Sequence, residues 1–339
     1  MVLVSDARAL HDALVRRWRA EGLVVEEPDA AAELKEGAEA LLHHLSKAVE
    51  TGRPGLFRDY AAWAKGYLQG RAARPTELLQ DRLQVVDALL ADSGEDDEAR
   101  SLVRAIRDEV PGLEAETRQG RGKNPLGDLH VRYLNALMAA DRRTAHRLVQ
   151  DALAGGVDVR DIYLHVFQAA QREMGRRWQL NEVSVPQEHF CTAATQLIMS
   201  QLYDEVFSAE RNGKVVVVTS VAGDLHEIGA RMVADFFEMD GWDTVYLGAN
   251  SPSSAVVEEM KERGAEGLAL SATMTPHVSA VAELIQEVRK DPEAGSRWIL
   301  VGGYPFGVDP DLWREVGADA MALDALEATG TAARLSEVR

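Results

Sequence analysis

The chain has one cysteine, Cys191, in 339 residues, which excludes an intramolecular disulfide and any cysteine-based structural zinc site. Long apolar runs are missing as well. The densest is Val215-Val216-Val217-Val218, far short of the ~18 residues that cross a bilayer. The N-terminus brings in Asp6 and Arg8 early and carries no apolar stretch ending in a small-residue cleavage site, so no signal peptide is predicted. These absences predict a cytoplasmic protein with no membrane partner. Basic residues are few against acidic ones, 37 to 55, and the net charge of −18 opposes a phosphate backbone, which excludes nucleic acid as a direct partner. What is present is ordinary for a globular protein: 46% apolar residues, enough to bury real cores, over a length that suggests two or three domains.

The first ~115 residues read as successive helices. Ser5 can cap one running to about Ala20. A longer one follows Pro28, with Leu34, Ala38, Leu41, Leu45 and Val49 on one stripe. Gly52 and Pro54 break it, and Phe57, Tyr60, Trp63 and Tyr67 mark the next. Thr76 opens a fourth, and the acidic run Glu95-Asp96-Asp97-Glu98 a fifth, where negative charge suits the helix dipole. Residues 116–128 (ETRQGRGKNPLGD) lack an apolar period and read as a linker. Four helical stretches follow, at about 128–140, 142–154, 158–178 and 184–210, and suggest a compact bundle. The last opens on a capping box, Ser184-Val185-Pro186-Gln187. The predicted domains are 1–118, 126–208 and 209–339.

From Lys214 the pattern alternates between apolar strands and amphipathic helices. Strands are predicted at 215–219, 244–247, 267–270, 298–301 and, weakly, 318–323. Fully apolar strands joined by helices predict a parallel α/β sheet covered on both faces, of Rossmann-like, flavodoxin-like type. Its ligand should sit beyond the carboxyl ends of the strands. No G-x-G-x-x-G follows the first strand, so a dinucleotide is not indicated. Ser271 stands where a phosphoreceiver needs aspartate.

The first strand instead runs into Gly223-Asp224-Leu225-His226-Glu227-Ile228-Gly229. In D-x-H-x-x-G the carboxylate can hold one imidazole nitrogen and leave the other free and more basic for a metal. One histidine cannot hold a bare ion tightly, so the metal should arrive chelated in a macrocycle. Gly229 would let a bulky group pass the backbone. With Ser271-Ala272-Thr273 after the third strand and Gly302-Gly303 after the fourth, this segment resembles the cobalamin-binding domain. The resemblance implies His226 beneath cobalt, and Ser271, Thr273, Gly302 and Gly303 around a slot for the displaced nucleotide tail. Asp224 would orient His226.

The bundle at 126–208 is similar to the helical cap that accompanies such domains. Within it Trp178, Val185, Glu188 and His189, in Trp-x9-Glu-His spacing, resemble the CarH-like light-sensing cobalamin domains. That resemblance implies adenosylcobalamin, an indole over the upper ligand, and a Glu-His pair near the adenosyl group. Gln179 departs from the pattern, because a histidine follows the Trp in the transcriptional members. A helical module joined to such a domain also resembles the photocobilins, which adds biliverdin as a second chromophore. Trp18, Phe57, Tyr60, Trp63 and Tyr67 could line its pocket, with Arg58, Arg71, Arg74 or Arg82 for the propionates. The expectation is therefore a photoreceptor, not an enzyme, with light-dependent homo-oligomerisation and a signalling partner. The alternatives are a corrinoid methyl carrier serving methyltransferases, or a dark B12 sensor.

Overall fold

The computed structural model describes residues 7–25, 30–93, 97–114 and 124–338. Ser5, Pro28, Glu95, Asp96 and linker residues 116–123 lie outside the described residues. The described chain divides into two compact units, one within Met1–Thr117 plus Arg176–Val183, the other within Arg118–Gly175 plus Ser184–Arg339.

The first unit is helical: α1 (Ala7–Ala20), α2 (Ala30–Glu50), α3 (Pro54–Gln69), α4 (Pro75–Asp92) and α5 (Asp97–Glu109). Pro54 and Pro75 each occupy a first helical turn, where the missing N–H costs nothing. Trp18, Leu34, Leu41, Leu45, Leu56, Phe57, Leu83 and Val103 are buried in its core. A buried ion pair joins α2 to α4: the Arg82 guanidinium donates to both Glu33 carboxylate oxygens, at 2.7 and 2.8 Å. Arg176–Val183 belongs to this unit because its groups are engaged there. Gln179 Nε2 donates to the Trp63 carbonyl at 2.9 Å, and Arg71 donates to the Gln179 carbonyl at 2.7 Å.

The second unit opens with α6 (Gly127–Met138), α7 (Arg142–Ala154), α8 (Val159–Ile162) and α9 (Gln168–Gln179), whose end from Arg176 belongs to the first unit. A π-helical turn, Tyr163–Phe167, links the last two into one rod. Next come α10 (Val185–Ser200) and α11 (Tyr203–Val206). The helix expected over 184–210 thus stops at Ser200, where Leu202 turns inward and is fully buried. At its start Gln187 reaches back to accept from the Ser184 backbone N–H at 2.9 Å, as the capping box predicts.

The sheet has five parallel strands in the order β2 (Asp243–Gly248), β1 (Val215–Ser220), β3 (Gly267–Ser271), β4 (Trp298–Gly302), β5 (Ala320–Ala322). This is the flavodoxin-like order, with its switch point between β1 and β3. The connections carry α12 (Ile228–Met239), α13 (Ser253–Glu262), α14 (Val278–Lys290), α15 (Tyr304–Val308) and α16 (Leu312–Glu315), and α17 (Ala325–Val338) closes the unit. One face packs Val216, Val218, Ala269, Trp298 and Leu300 against Phe237 of α12 and Ala328 and Ala332 of α17. Val217, Leu268, Ile299 and Val301 alternate with them and are buried on the other face. The helix at 304–308 was not foreseen from sequence. Its Pro305 fits a first turn, but the residues are too few to show a period.

The helices of this unit are pinned to the sheet through α12. Tyr163 Oη in the π turn donates to Asp235 Oδ2 at 2.7 Å, Arg160 pairs with Asp240, and Arg231 donates to Ser200 Oγ at 2.8 Å. Burial pushes the Asp235 carboxyl up to about 6, against the lowering effect of the Tyr163 hydrogen bond. A carboxyl raised in the folded state favours folding while it is protonated, and that contribution is lost as pH climbs through about 6. Asp235→Asn keeps an acceptor for Tyr163 and removes the buried charge. The variant is expected to be more stable than the parent at pH 8 by about 1–3 kcal/mol, with the gap closing towards pH 4. Denaturant unfolding at the two pH values checks this; a gap that does not change with pH would contradict it.

Candidate functional site

The carboxyl edge of the sheet gathers the three sequence-predicted segments. The Val221 N–H donates to the Ser271 carbonyl at 3.2 Å, and the Ala272 N–H to the Gly302 carbonyl at 3.1 Å, so the ends of β1, β3 and β4 are tied side by side. Gly223–Glu227 lies in the loop from β1 to α12, Ile228 and Gly229 open α12, Ser271 ends β3 with Thr273 two residues beyond, and Gly302 ends β4 with Gly303 next to it.

Asp224 is the buried anchor of the loop. Its Oδ1 accepts from the His226 backbone N–H at 3.0 Å and lies 2.8 Å from His226 Nδ1, while Oδ2 accepts from the Thr273 N–H at 2.5 Å. Burial alone would raise the Asp224 carboxyl, but the His226 ring and the amides that bond to it hold it far below the ordinary carboxylate range. His226 responds in the opposite sense: its bond to Asp224 raises the imidazole pKa against partial burial. With Nδ1 engaged, Nε2 is the nitrogen left to bind a ligand, on a side chain 58% exposed.

The surroundings of His226 suit a large, partly apolar guest. Leu225 beside it is 74% exposed, and a Cβ added at Gly229 would meet no atom within 4 Å. Gly223 has φ +84°, a left-handed conformation that favours glycine, and its N–H donates to Asn250 Oδ1 at 2.8 Å. Glu227 Oε1 accepts from Gln196 Nε2 of α10 at 2.8 Å. Ile228 begins α12. Among the described residues no group of three or more His, Cys, Asp or Glu side chains could hold a metal ion. A single histidine donor fits a metal that brings its other ligands with it.

In α10, Val185 is exposed and Glu188 and His189 lie in the first turn. Glu188 Oε2 is 2.8 Å from His189 Nδ1, and Glu188 Oε1 accepts from Thr192 Oγ1 at 2.8 Å. Thr192 Oγ1 also lies 2.9 Å from Gln171 Oε1, and Gln171 Nε2 donates to the buried Thr195, itself 2.9 Å from Tyr133 Oη. The Glu188 carboxylate adds to the upward shift of His226, which places the first turn of α10 within Coulombic reach of the loop. Cys191 is buried, and burial pushes its thiol up to about 11.

Trp178 belongs to the first unit. Its ring lies against Trp63 and Tyr67 of α3, with centroids at 6.4 and 6.1 Å, and its carbonyl accepts from Arg71. Three of the four arginines expected to meet bilin propionates are engaged: Arg82 with Glu33, Arg58 with Glu109, and Arg71 with backbone carbonyls. Phe57 is fully buried, as core.

Sequence reasoning missed two residues of the loop's support, Asn250 and His277. His277 Nδ1 stands 3.4 Å from Asp224 Oδ2 without the alignment of a hydrogen bond. It lies four residues beyond Thr273, outside any spacing the sequence made visible. Asn250 did carry a signal, an asparagine closing a strand, and here it adopts φ +55°.

Residues 214–333 and residues 129–203 each match a family model described as a B12 binding domain. Monomethylamine corrinoid protein 1 of Methanosarcina mazei is 29% identical over 205 residues, covering 58% of this chain and 93% of the relative. Monomethylamine corrinoid protein 1 of Methanosarcina barkeri is 30% identical over 191 residues, covering 55% and 87%. The solved Methanosarcina barkeri monomethylamine corrinoid protein superposes with a TM-score of 0.55 and 26% identity, over 63% of this chain and 100% of that one.

These relatives overturn the light-sensing reading drawn from Trp178, Glu188 and His189. Residues 129–203 match the same family model that the corrinoid reading needs, and the Trp178 ring packs on Trp63 and Tyr67 in the first unit. Light-dependent assembly loses its basis with the photoreceptor. Both matched segments and the aligned relatives point the same way, and the chain belongs to the B12-binding corrinoid proteins.

Proposed function

We propose that this chain is the corrinoid-carrying component of a methyl-transfer system, with cobalamin held on the carboxyl edge of the sheet and methyltransferases as partners. The observation that carries the reading is the Asp224–His226 pair, an exposed imidazole with one nitrogen fixed by a buried carboxylate, in a chain related to methylamine corrinoid proteins. When bound, the corrinoid supplies a cobalt centre that accepts and gives up a methyl group.

The chain's own residues bind and orient. Asp224 would keep the proton on His226 Nδ1 and so leave an unprotonated Nε2 to hold the corrinoid's metal. Leu225, largely exposed, would offer apolar surface to the group, and Gly229 would leave room for it. Ser271 and Thr273 offer hydroxyls to the displaced nucleotide tail, and Gly302 and Gly303 keep its path clear. Val185, Glu188 and His189 at the start of α10 would contact a bound corrinoid as well. In this reading the chain is a carrier and the partner the catalyst. No described helix is long and apolar enough to cross a membrane.

The test loads the full chain with a corrinoid bearing an isotope-labelled methyl group and adds a thiol acceptor with a corrinoid-dependent methyltransferase. Label is expected to pass from chain to thiol. Label retained on the chain, while the same enzyme consumes free methylcobalamin, would contradict the carrier role.

A further inference from the structure

Independently of the corrinoid site, the first unit contains a cavity of about 150 Å³ that the carrier role does not use. Its wall includes Trp18, Tyr60, Trp63, Tyr67 and Trp178. The rings of Tyr60, Trp63 and Tyr67 recur along α3 and lie nearly parallel, at 25° and 20° to their neighbours. Trp178 adjoins them, tilted 35° to Trp63 and 55° to Tyr67. Trp18 and Tyr60 are buried, whereas Trp63, Tyr67 and Trp178 keep part of their surface exposed and form the mouth of the cavity. Apolar cavities of this size hold guests about as large as benzene, which excludes a bilin.

The polar groups of the inner wall are already satisfied by one another. Trp18 Nε1 donates to the Arg82 carbonyl at 3.3 Å, Tyr60 Oη to the Gly37 carbonyl at 3.4 Å, and the Arg82 guanidinium forks onto Glu33. A guest that buried N–H or O–H groups there would leave them unpaired, at a desolvation cost. A cation is disfavoured because two guanidinium groups already sit on the aromatic wall, Arg82 over the Trp18 ring at 4.6 Å and Arg71 over the Tyr67 ring at 3.9 Å. An anion is disfavoured by Glu33 and Glu36, both on the lining. What the cavity offers is ring surface. Trp63, stacked among its α3 neighbours with Trp178 tilted beside it, can meet a flat guest face to face or edge to face.

From this wall we infer that the first unit binds a small uncharged aromatic molecule, one benzene-sized ring with at most a small apolar substituent. Toluene is the probe. N-methylpyridinium, the same shape with a positive charge, and benzoate, an anion, are the controls. Titrated into the full chain and followed by tryptophan emission and calorimetry, toluene is expected to bind saturably, and each control roughly tenfold more weakly or worse. Ala40 is on the lining and only part-buried, so Ala40→Phe puts a phenyl group into the space the guest would take. That variant should lose the toluene response while keeping the circular dichroism of the parent. Trp63→Leu should weaken toluene several-fold, and Trp63→Phe, which keeps a ring, should weaken it less. No saturable binding of toluene to the parent chain would overturn the inference, and so would either charged control binding as tightly as toluene. Parent-like toluene affinity in a folded Ala40→Phe would place the guest outside this cavity. Should that variant not fold, parent-like affinity in Trp63→Leu would show that the rings do not recognise the guest, and would overturn the inference equally.

Discussion

His226→Ala is expected to weaken cobalamin binding by on the order of 100-fold and to leave whatever cobalamin still binds with the spectrum of a corrinoid lacking an imidazole below cobalt. The imidazole is largely exposed, so its removal opens no cavity, but it takes away a partner of the buried Asp224 carboxylate. The variant without cobalamin should therefore unfold at a somewhat lower temperature than the parent while keeping the parent's circular dichroism when folded, which separates loss of a ligand from loss of a fold. Asp224→Asn should cost less, about tenfold. Asparagine can still accept from His226 Nδ1, but without the full charge that raises the imidazole pKa. Titration of both variants with hydroxocobalamin, followed by absorption, gives the two affinities. Equal affinity in His226→Ala and the parent would remove this residue from the lower face.

Gly303→Ala should be the most damaging single-methyl change at the site. Gly303 has φ +103°, where L side chains are strained, and an added Cβ would stand 2.0 Å from the Ala272 carbonyl oxygen. The obstacle is backbone, not the end of a flexible side chain, so the ends of β3 and β4 would have to separate. The Ala272 N–H bond to the Gly302 carbonyl lies in that gap and would be lost. Strain and overpacking together should destabilise the sheet unit by about 3 kcal/mol or more. Denaturant unfolding should show a lower midpoint in the absence of any cobalamin. A variant as stable as the parent would mean that Gly303 serves only to leave space for the nucleotide tail.

Much of this was legible in the residues. Fully apolar strands such as Val215–Ser220 alternating with amphipathic helices allow little but a parallel sheet, and D-x-H-x-x-G at the end of the first strand names its own hydrogen bond. Local chemistry of that kind is written in adjacent residues. What could not be read depends on distant residues meeting. Trp178 followed by nine residues and Glu-His looks the same in sequence whether its indole covers a ligand or packs on Trp63 and Tyr67, and only the fold places it against α3. The same holds for the arginines of the first unit, which read as free cations until Glu33 and Glu109 are brought opposite them. His277 was hidden for a related reason: its approach to Asp224 depends on the short turn Thr275–His277 after β3.

The account rests most heavily on His226 as the ligand beneath cobalt, and one spectrum tests it. The full chain is produced with nitrogen-15 in its histidines, loaded with unlabelled cobalamin, reduced to the Co(II) state and examined by electron paramagnetic resonance. An axial nitrogen couples to the unpaired electron and splits each cobalt line, threefold for ordinary nitrogen and twofold for nitrogen-15. A threefold pattern in unlabelled protein that becomes twofold on histidine labelling is the predicted result. A threefold pattern that survives labelling would mean that the cobalamin keeps its own base, and a spectrum without nitrogen splitting would mean that no imidazole binds. Either would contradict the site.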